Sequence, residues 1–272
     1  MTTIDILVCT LNKGVVRIAD ILLPEQEYIR YVVSFQYTDE RYIELIPDCV
    51  HTRKDVVLNQ YVGQGLSVNR NKALEHATSD LIMFADDDSR FSLDEIHTVI
   101  ETFDENPTID VAFFQASTYT GRPLKDYPNE AFDVTSYPHT FFISAIEMVC
   151  RRDKVQGKVL FNERIGLGTK MLTCGEEEVW FEDARRLGLK MRYIPKRIVE
   201  TSTILKNRMI YVDPGVQRSK GAIAYYLYGH KAWWICFKFA VKATVEGSSH
   251  FFPLMKHLVE GIRYMKRNRG KK

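Results

Sequence analysis

Leu81-Ile82-Met83-Phe84-Ala85-Asp86-Asp87-Asp88 decides the fold: five apolar residues run straight into three carboxylates. So short an apolar run, stopped abruptly by polar residues, has the length and composition of a strand buried on both faces. Three adjacent carboxylates at its end repel one another unless a cation or solvent intervenes. Alternate residues of an extended segment point the same way, so Asp86 and Asp88 are expected to share one face. Hard oxygen ligands in that pattern suit Mg²⁺ or Mn²⁺. A solvated acidic turn capping the next helix is the competing reading, and the position directly after an apolar strand favours the metal.

Moving upstream, Ile4–Thr10 is a second apolar run, ending at Leu11-Asn12-Lys13-Gly14, and a helix is predicted over Val15–Leu23, stopped by Pro24. The β-branched and aromatic runs Tyr31–Gln36 and Tyr42–Ile46 predict two further strands. Leu66, Ala73, Leu74 and Ala77 recur at helical spacing, which predicts a helix over Ser67–Ala77.

Downstream, Ser92 and Glu95 form a capping box for a helix over Leu93–Glu105, ending before Asn106-Pro107. Val111–Ser117 and Met191–Pro195 read as strands. Tyr119–Pro138, rich in Pro, Tyr and Asp, reads as a long loop, and a helix is expected from Glu176 to Leu187. This alternation implies an α/β fold with a mainly parallel sheet covered on both faces, and ligands then bind outside the carboxyl ends of the strands.

Two further groups carry chemistry. Glu176-Glu177-Glu178 opens the later helix. Glutamates there complement the helix macrodipole, and one of them can instead act as general base toward a hydroxyl group, a poor nucleophile until its proton is taken. Arg70 and Asn71 lie early in the helix before the aspartates, where Arg forks onto phosphate oxygens and Asn bonds a base or sugar edge. The seven histidines form no HxxxH or HExxH pattern, with His230 or His250 left as conceivable third metal ligands. Neither a GxSxG elbow nor a GxxxxGK[ST] phosphate loop is present.

The net charge of +2 hides an asymmetry. From Pro214 to Lys272 there are twelve basic residues against Glu246 and Glu260, leaving 25 basic and 33 acidic residues before Pro214. An anionic surface is therefore the expected partner of the tail. Gly221–Val245 carries Tyr225, Tyr226, Tyr228, Trp233, Trp234, Phe237 and Phe239 among Lys231, Lys238 and Lys242. This is the composition of an amphipathic helix lying in a membrane interface. Lys256, Arg263, Lys266, Arg267, Arg269, Lys271 and Lys272 add a patch suited to an anionic leaflet. No nucleic-acid motif accompanies the charge, so no nucleic-acid partner is expected.

Five cysteines without CxxC spacing, and an amino terminus that begins directly in a strand-like run, point to a reducing cytosol. No run of about 18–20 apolar residues predicts a membrane span. The organisation expected is one catalytic domain at 1–213, in two halves of about 1–118 and about 119–213. A basic aromatic helical extension follows at 214–272.

Taken in order, these pieces resemble the family 2 glycosyltransferases, which have the GT-A fold, a Rossmann-like mixed sheet. Cys9-Thr10-Leu11-Asn12 looks like the family's first nucleotide-contacting turn. Gly65-Leu66-Ser67-Val68-Asn69-Arg70-Asn71-Lys72-Ala73 is similar to its Gly-x-x-x-x-Arg-Asn-x-Gly/Ala stretch, and the triple aspartate to its DxD metal motif. Gly166-Leu167-Gly168 with Gly175-Glu176-Glu177 resembles the loop and Glu-Asp pair before its acceptor-side helix.

The resemblance implies inverting transfer from a UDP- or GDP-linked sugar to the hydroxyl of a saccharide or lipid-linked saccharide, in cell-surface polysaccharide or lipopolysaccharide synthesis. Asp86 and Asp88 would hold Mn²⁺ or Mg²⁺. Thr10, Asn12, Arg70, Asn71, Asp86 and Asp87 would bind the donor, and Glu177 or Glu176 would be the catalytic base. The chain departs from the family at Ser34-Phe35-Gln36, where an Asp usually ends the second strand. It departs again at the Glu-Glu pair, which leaves the base open among Glu176, Glu177 and Glu178; the spacing back from Gly188 favours Glu177. The expected location is cytoplasmic, peripheral on the inner face of the cytoplasmic membrane. Two other functions fit parts of the pattern, a sugar-phosphate nucleotidyltransferase and a non-catalytic nucleotide-sugar binding protein.

Overall fold

Eight strands form one sheet in the order β3-β2-β1-β4-β7-β5-β8-β6. They are β1 (Ile4–Leu11), β2 (Ile29–Tyr37), β3 (Val56–Val62), β4 (Leu81–Asp86), β5 (Val111–Thr118), β6 (Phe132–Asp133), β7 (Met148–Arg151) and β8 (Met191–Thr201). The structure, a computed structural model, describes residues 1–136, 142–202 and 209–268. Of the expected loop Tyr119–Pro138, the last two residues lie outside that description, as do Arg269, Lys271 and Lys272 of the basic tail.

β1 runs parallel to β2 and β4, β2 to β3, and β5 to β8. The short β7 lies antiparallel between β4 and β5, and β6 is antiparallel to β8. The sheet is thus mixed and mainly parallel, as the alternation of elements implied. Ile4, Ile6 and Val8 of β1 and Tyr31, Val33 and Phe35 of β2 belong to one buried cluster with Val15, Ile18, Ile96, Val99 and Phe103. Each such side chain taken out of water contributes roughly 1.5–3 kcal/mol.

Helix α1 (Leu66–Glu75) precedes β4, and helix α2 (Leu93–Glu105) follows it. The capping box of α2 is formed as expected: Glu95 N donates to Ser92 Oγ at 3.3 Å and Ser92 N to Glu95 Oε2 at 2.7 Å. Helix α3 is Glu176–Arg186.

Several expectations are corrected. Tyr42–Ile46 is not a strand; Glu40–Leu45 is a 3-10 helix, whose cap Asp39 accepts from Arg41 N at 3.0 Å. Tyr42, Ile43 and Ile46 reach the core from one side of that turn, a helical spacing that the β-branched composition masked. The third parallel strand is instead β3, where Asn59 and Gln60 interrupt the apolar pattern. Val15–Leu23 is not an α-helix, since a 3-10 helix covers Asn12–Asp20. β8 continues past Pro195 to Thr201. The loop after β5 is tied down by a buried ion pair, Lys125 Nζ to Glu147 Oε2 at 2.6 Å.

The chain divides into two compact units. The first comprises Met1–Gln64, Val68–Leu160 and Asp183–Ile204, and contains the whole sheet. The second comprises Gly65–Ser67, Phe161–Glu182 and Leu205–Lys272, so it takes in Phe161–Glu182 besides the extension expected to begin at residue 214. Besides the start of α3 it contains the long helices α4 (Pro214–Tyr228), α5 (Ala232–Val245) and α6 (Phe251–Arg267). Asp213 caps α4, accepting from Val216 N at 2.9 Å.

Gly221 of α4 and Gly261 of α6 allow these helices to touch at the backbone. A β-carbon on Gly221 would meet Leu258 O and lie 2.8 Å from Leu258 C; one on Gly261 would meet Arg218 O and lie 2.7 Å from Arg218 C. Among the described residues no helix is long and apolar enough to cross a membrane.

Candidate active site

The carboxyl ends of β1 and β4 bring Thr10, Arg70 and the aspartates together in the first unit. The chain turns immediately after β4 because wholly buried Ser89 closes the turn. Ser89 Oγ accepts from Asp86 N at 3.1 Å, and Ser89 N donates to Asp86 O at 3.0 Å. The three carboxylates then take different partners. Asp86, whose side chain is 38% exposed, has an oxygen 3.8 Å from Nη2 of Arg70, whose side chain is only 4% exposed. Asp87 accepts from Thr10 Oγ1 at 2.7 Å and pairs with Arg17. Asp88 accepts from Thr201 Oγ1 at 3.1 Å and Ser202 Oγ at 2.5 Å, while its backbone oxygen accepts from Tyr119 OH at 2.5 Å.

Asn12 has a φ of 51°, the left-handed region that Asn tolerates better than most side chains. Its Oδ1 accepts from Thr38 N at 2.8 Å and its Nδ2 donates to Thr38 Oγ1 at 3.1 Å. Asn12 therefore locks the end of β1 to the end of β2. Asn69 Nδ2 donates to Thr10 O at 3.0 Å, anchoring α1 beside the same turn, and the next two residues, Arg70 and Asn71, are both buried. Burial pushes the Cys9 thiol up to about 12; Arg70 opposes this, and Asp86 and Asp87 reinforce it. Cys9 is a protonated packing residue beneath the site, not a nucleophile.

Sequence reasoning met Ser34 and Gln36 only as a departure from the family's pattern, and missed Asn59. Among the described residues, Ser34 Oγ, Gln36 Nε2 and Asn59 Nδ2 are buried without a hydrogen-bond partner. Leaving such a group unsatisfied costs about 1–3 kcal/mol, and native proteins contain few of them. Here they sit on neighbouring strands: Ser34 pairs in register with Asn59 on one side and Cys9 on the other, and Cys9 pairs with Asp86. Polar side chains at alternate positions of two otherwise β-branched and aromatic runs were the available signal.

The glutamates lie in the second unit, in the first turn of α3. Glu176 is buried, 5% exposed, and packed under Gly166. A β-carbon on Gly166 (φ 118°) would lie 3.0 Å from Glu176 Cδ and 2.9 Å from Ser67 Oγ. Ser67 Oγ in turn donates to Ile165 O at 2.7 Å, and Leu66 N to Leu167 O at 2.9 Å, which fixes the loop over the carboxylate. Glu177 and Glu178 are half-buried. His230 lies edge-on to Tyr225, and His250 caps α6; both belong to the second unit.

Among the described residues no group of three His, Cys, Asp or Glu side chains is arranged to hold a metal unaided. Asp86 and Asp88 offer oxygen ligands only, the donor chemistry of a hard divalent cation that keeps waters and takes its remaining ligands from phosphate oxygens. In that sense the residues present fit the group.

Residues 53–157 match the family model described as glycosyl transferase family 2. That stretch is similar to the family 2 glycosyltransferases. The solved structures bear out the GT-A-like fold. The chain is similar to S. aureus TarS 1–349 in complex with UDP-GlcNAc, at 15% identity over 96% of this chain and 82% of that one, with a TM-score of 0.59. TarS 1–349 without a stated ligand is 11% identical over 100% and 93% of the two chains (TM-score 0.57), and its complex with UDP 15% identical over 90% and 72% (TM-score 0.55). No curated protein sequence matches this chain.

Proposed function

We propose that this chain is a metal-dependent, inverting glycosyltransferase. It takes a sugar from a UDP- or GDP-linked donor to the hydroxyl of a saccharide or lipid-linked saccharide in cell-surface polysaccharide synthesis. The observation that carries the donor assignment is the row of partnerless buried polar atoms on Ser34, Gln36 and Asn59, continuing through Cys9 to Asp86 and Arg70. A polar ligand with base, ribose and diphosphate satisfies such a row, and the UDP-GlcNAc and UDP complexes of TarS support that ligand class.

Arg70 would fork onto the diphosphate, its guanidinium made more effective by burial. Asp86 and Asp88 would hold Mn²⁺ or Mg²⁺, which when bound neutralises the charge of the departing diphosphate. Thr10, Asn12 and Asp87 shape the turn at the donor, and Asn71 continues the wall that Arg70 begins. Glu177 is the base we favour over Glu176, because Glu176 is packed under Gly166 while Glu177 is half-buried. The acceptor hydroxyl oxygen attacks the anomeric carbon, the bond to the diphosphate breaks, and the hydroxyl proton passes to Glu177. The basic extension supports a peripheral location on the anionic inner face of the cytoplasmic membrane.

Mn²⁺ with UDP or GDP should raise the unfolding temperature, and Asp88→Ala should abolish that rise; an undiminished rise in the variant removes the metal assignment. Release of nucleoside diphosphate from a nucleotide-sugar supports the transferase. Release of pyrophosphate from a nucleoside triphosphate and a sugar phosphate instead favours a nucleotidyltransferase.

A further inference from the structure

Helix α5 presents its apolar side to solvent. Ala232, Cys236, Ala240 and Ala243 are its buried residues. At about 100° per residue, these small side chains define one packed face. Trp234, Phe237, Val241 and Val245 fall on the opposite face, and all four are exposed, Trp234 by 60% and Val245 by 82%. A helix at the surface of a water-soluble domain turns polar residues outward, whereas one apolar all round is expected to be covered on every side.

The stripe extends beyond α5. Trp234 stacks on Phe237 with ring centroids 5.6 Å apart, Phe237 meets Phe251 edge to face, and Phe251 meets Phe252, which is 83% exposed at the start of α6. A groove of about 340 Å³ runs along it, lined by Trp234, Phe237, Lys238, Val241, Lys242, Val245 and, at its end, Glu246, whose Oε1 lies 3.7 Å from Lys242 Nζ. Lys231, Lys238 and Lys242 are exposed along one border of the stripe. Lys238 Nζ lies 5.1 Å over the Trp234 ring, its stem lying along the apolar surface.

We propose that this face is a monolayer-insertion surface for a bilayer containing anionic phospholipid. The Trp234–Phe252 stripe enters the boundary between headgroups and acyl chains, and Lys231, Lys238 and Lys242 meet lipid phosphates. Charge selects this occupant over a second copy of the chain. The residues from Pro214 onward carry twelve basic side chains and two acidic ones, so two such faces brought together repel, while an anionic leaflet attracts at each lysine. Length selects lying over spanning. The 14 residues of α5 rise only about 21 Å, short of the roughly 30 Å hydrocarbon core. The proposal deepens the membrane part of the reading above and does not depend on the donor chemistry.

The test sediments the full chain with sucrose-loaded vesicles of phosphatidylcholine, with and without phosphatidylglycerol. Trp234→Ser/Val245→Ser/Phe252→Ser and Lys231→Glu/Lys238→Glu/Lys242→Glu are compared with the wild type. We expect wild type to bind the phosphatidylglycerol vesicles with a blue shift in tryptophan emission. Both triple variants should lose at least tenfold in partitioning while keeping the unfolding temperature and the nucleotide-induced shift of the wild type. Three results overturn the proposal: wild type staying in the supernatant, the serine variant partitioning like wild type, or a self-associating wild type that the serine variant renders monomeric without lipid. Loss of nucleotide response with vesicle binding intact would count against the donor reading alone.

Discussion

A β-carbon on Gly14 would run into the carboxylate of Asp87, lying 2.9 Å from Asp87 Cγ and 2.6 Å from Thr10 Oγ1. Asp87 can therefore lie against the 3-10 turn after β1 only because residue 14 has no side chain. Gly14→Ala should push Asp87 off Thr10 and Arg17 and disturb Asp86 and Asp88 on either side. We expect a loss of about 1–3 kcal/mol in stability from the overpacking and roughly tenfold weaker nucleotide binding. Urea unfolding and calorimetric titration with UDP or GDP measure the two effects.

Gln36 should behave as a residue kept for ligand at the expense of the free fold. Gln36→Leu removes a partnerless buried amide nitrogen, so the ligand-free protein should gain about 1 kcal/mol while the thermal shift given by nucleotide shrinks. A variant that loses stability and keeps its nucleotide shift would show that the amide serves packing.

The glutamates should separate by role. Glu177→Gln is expected to lower turnover at least about 100-fold, the usual weight of a general base, with nucleotide binding unchanged. Glu176→Gln, under Gly166, should chiefly lower stability. If Glu178→Gln rather than Glu177→Gln stops turnover with binding intact, the base moves by one residue.

Asp5 sets an acid limit on stability. Burial raises its pKa, but the forked bond from Arg30 and the hydrogen bonds from Thr78 and Ser79 outweigh this and leave it lowered from 3.8. Its contribution is thus complete above the unfolded pKa and vanishes as pH falls through the lower folded value. Asp5→Asn should cost about 2 kcal/mol at neutral pH, and the stability curves of mutant and wild type should converge below pH 3.8. Equilibrium unfolding across the acid range tests the sign.

Gly221→Ala and Gly261→Ala should each force α4 and α6 apart, since each new methyl meets backbone and not a movable side chain. A loss of about 1–3 kcal/mol for either is expected, and less than the sum for both, because the first displacement makes room for the second. Chemical denaturation of the three variants gives the numbers.

Much of the fold was legible in the sequence because its signals were local. Ser92 and Glu95 announced α2 to the residue, and the apolar runs of β1, β2 and β4 fixed the parallel core. Tyr42–Ile46 misled because β-branched and aromatic residues suit a 3-10 turn against the core as well as a strand. β3 was hidden by Asn59, a residue retained at the candidate site. β7, with four residues, is defined by its neighbours β4 and β5 and not by its own composition. At the site, residue types could be read but partners could not. Nothing in Asp86-Asp87-Asp88 told that Asp87 would be taken up by Thr10 and Arg17, nor that Asn12 would face Thr38, because these pairings come from segments far apart in the chain.

The strand order also sets a timetable for synthesis. β1 to β4 have all been made once residue 86 is translated, whereas β8 pairs with β5 across a separation of 80 residues, Val111 to Met191. At about 5–20 residues per second, the amino-terminal half-sheet waits on the order of ten seconds for the strand that completes the other half. Until β7 is made at residue 151, the bare edge of β4 can recruit other nascent chains. Slowing translation between codons 86 and 151 should therefore lower the soluble yield while leaving the finished protein unchanged.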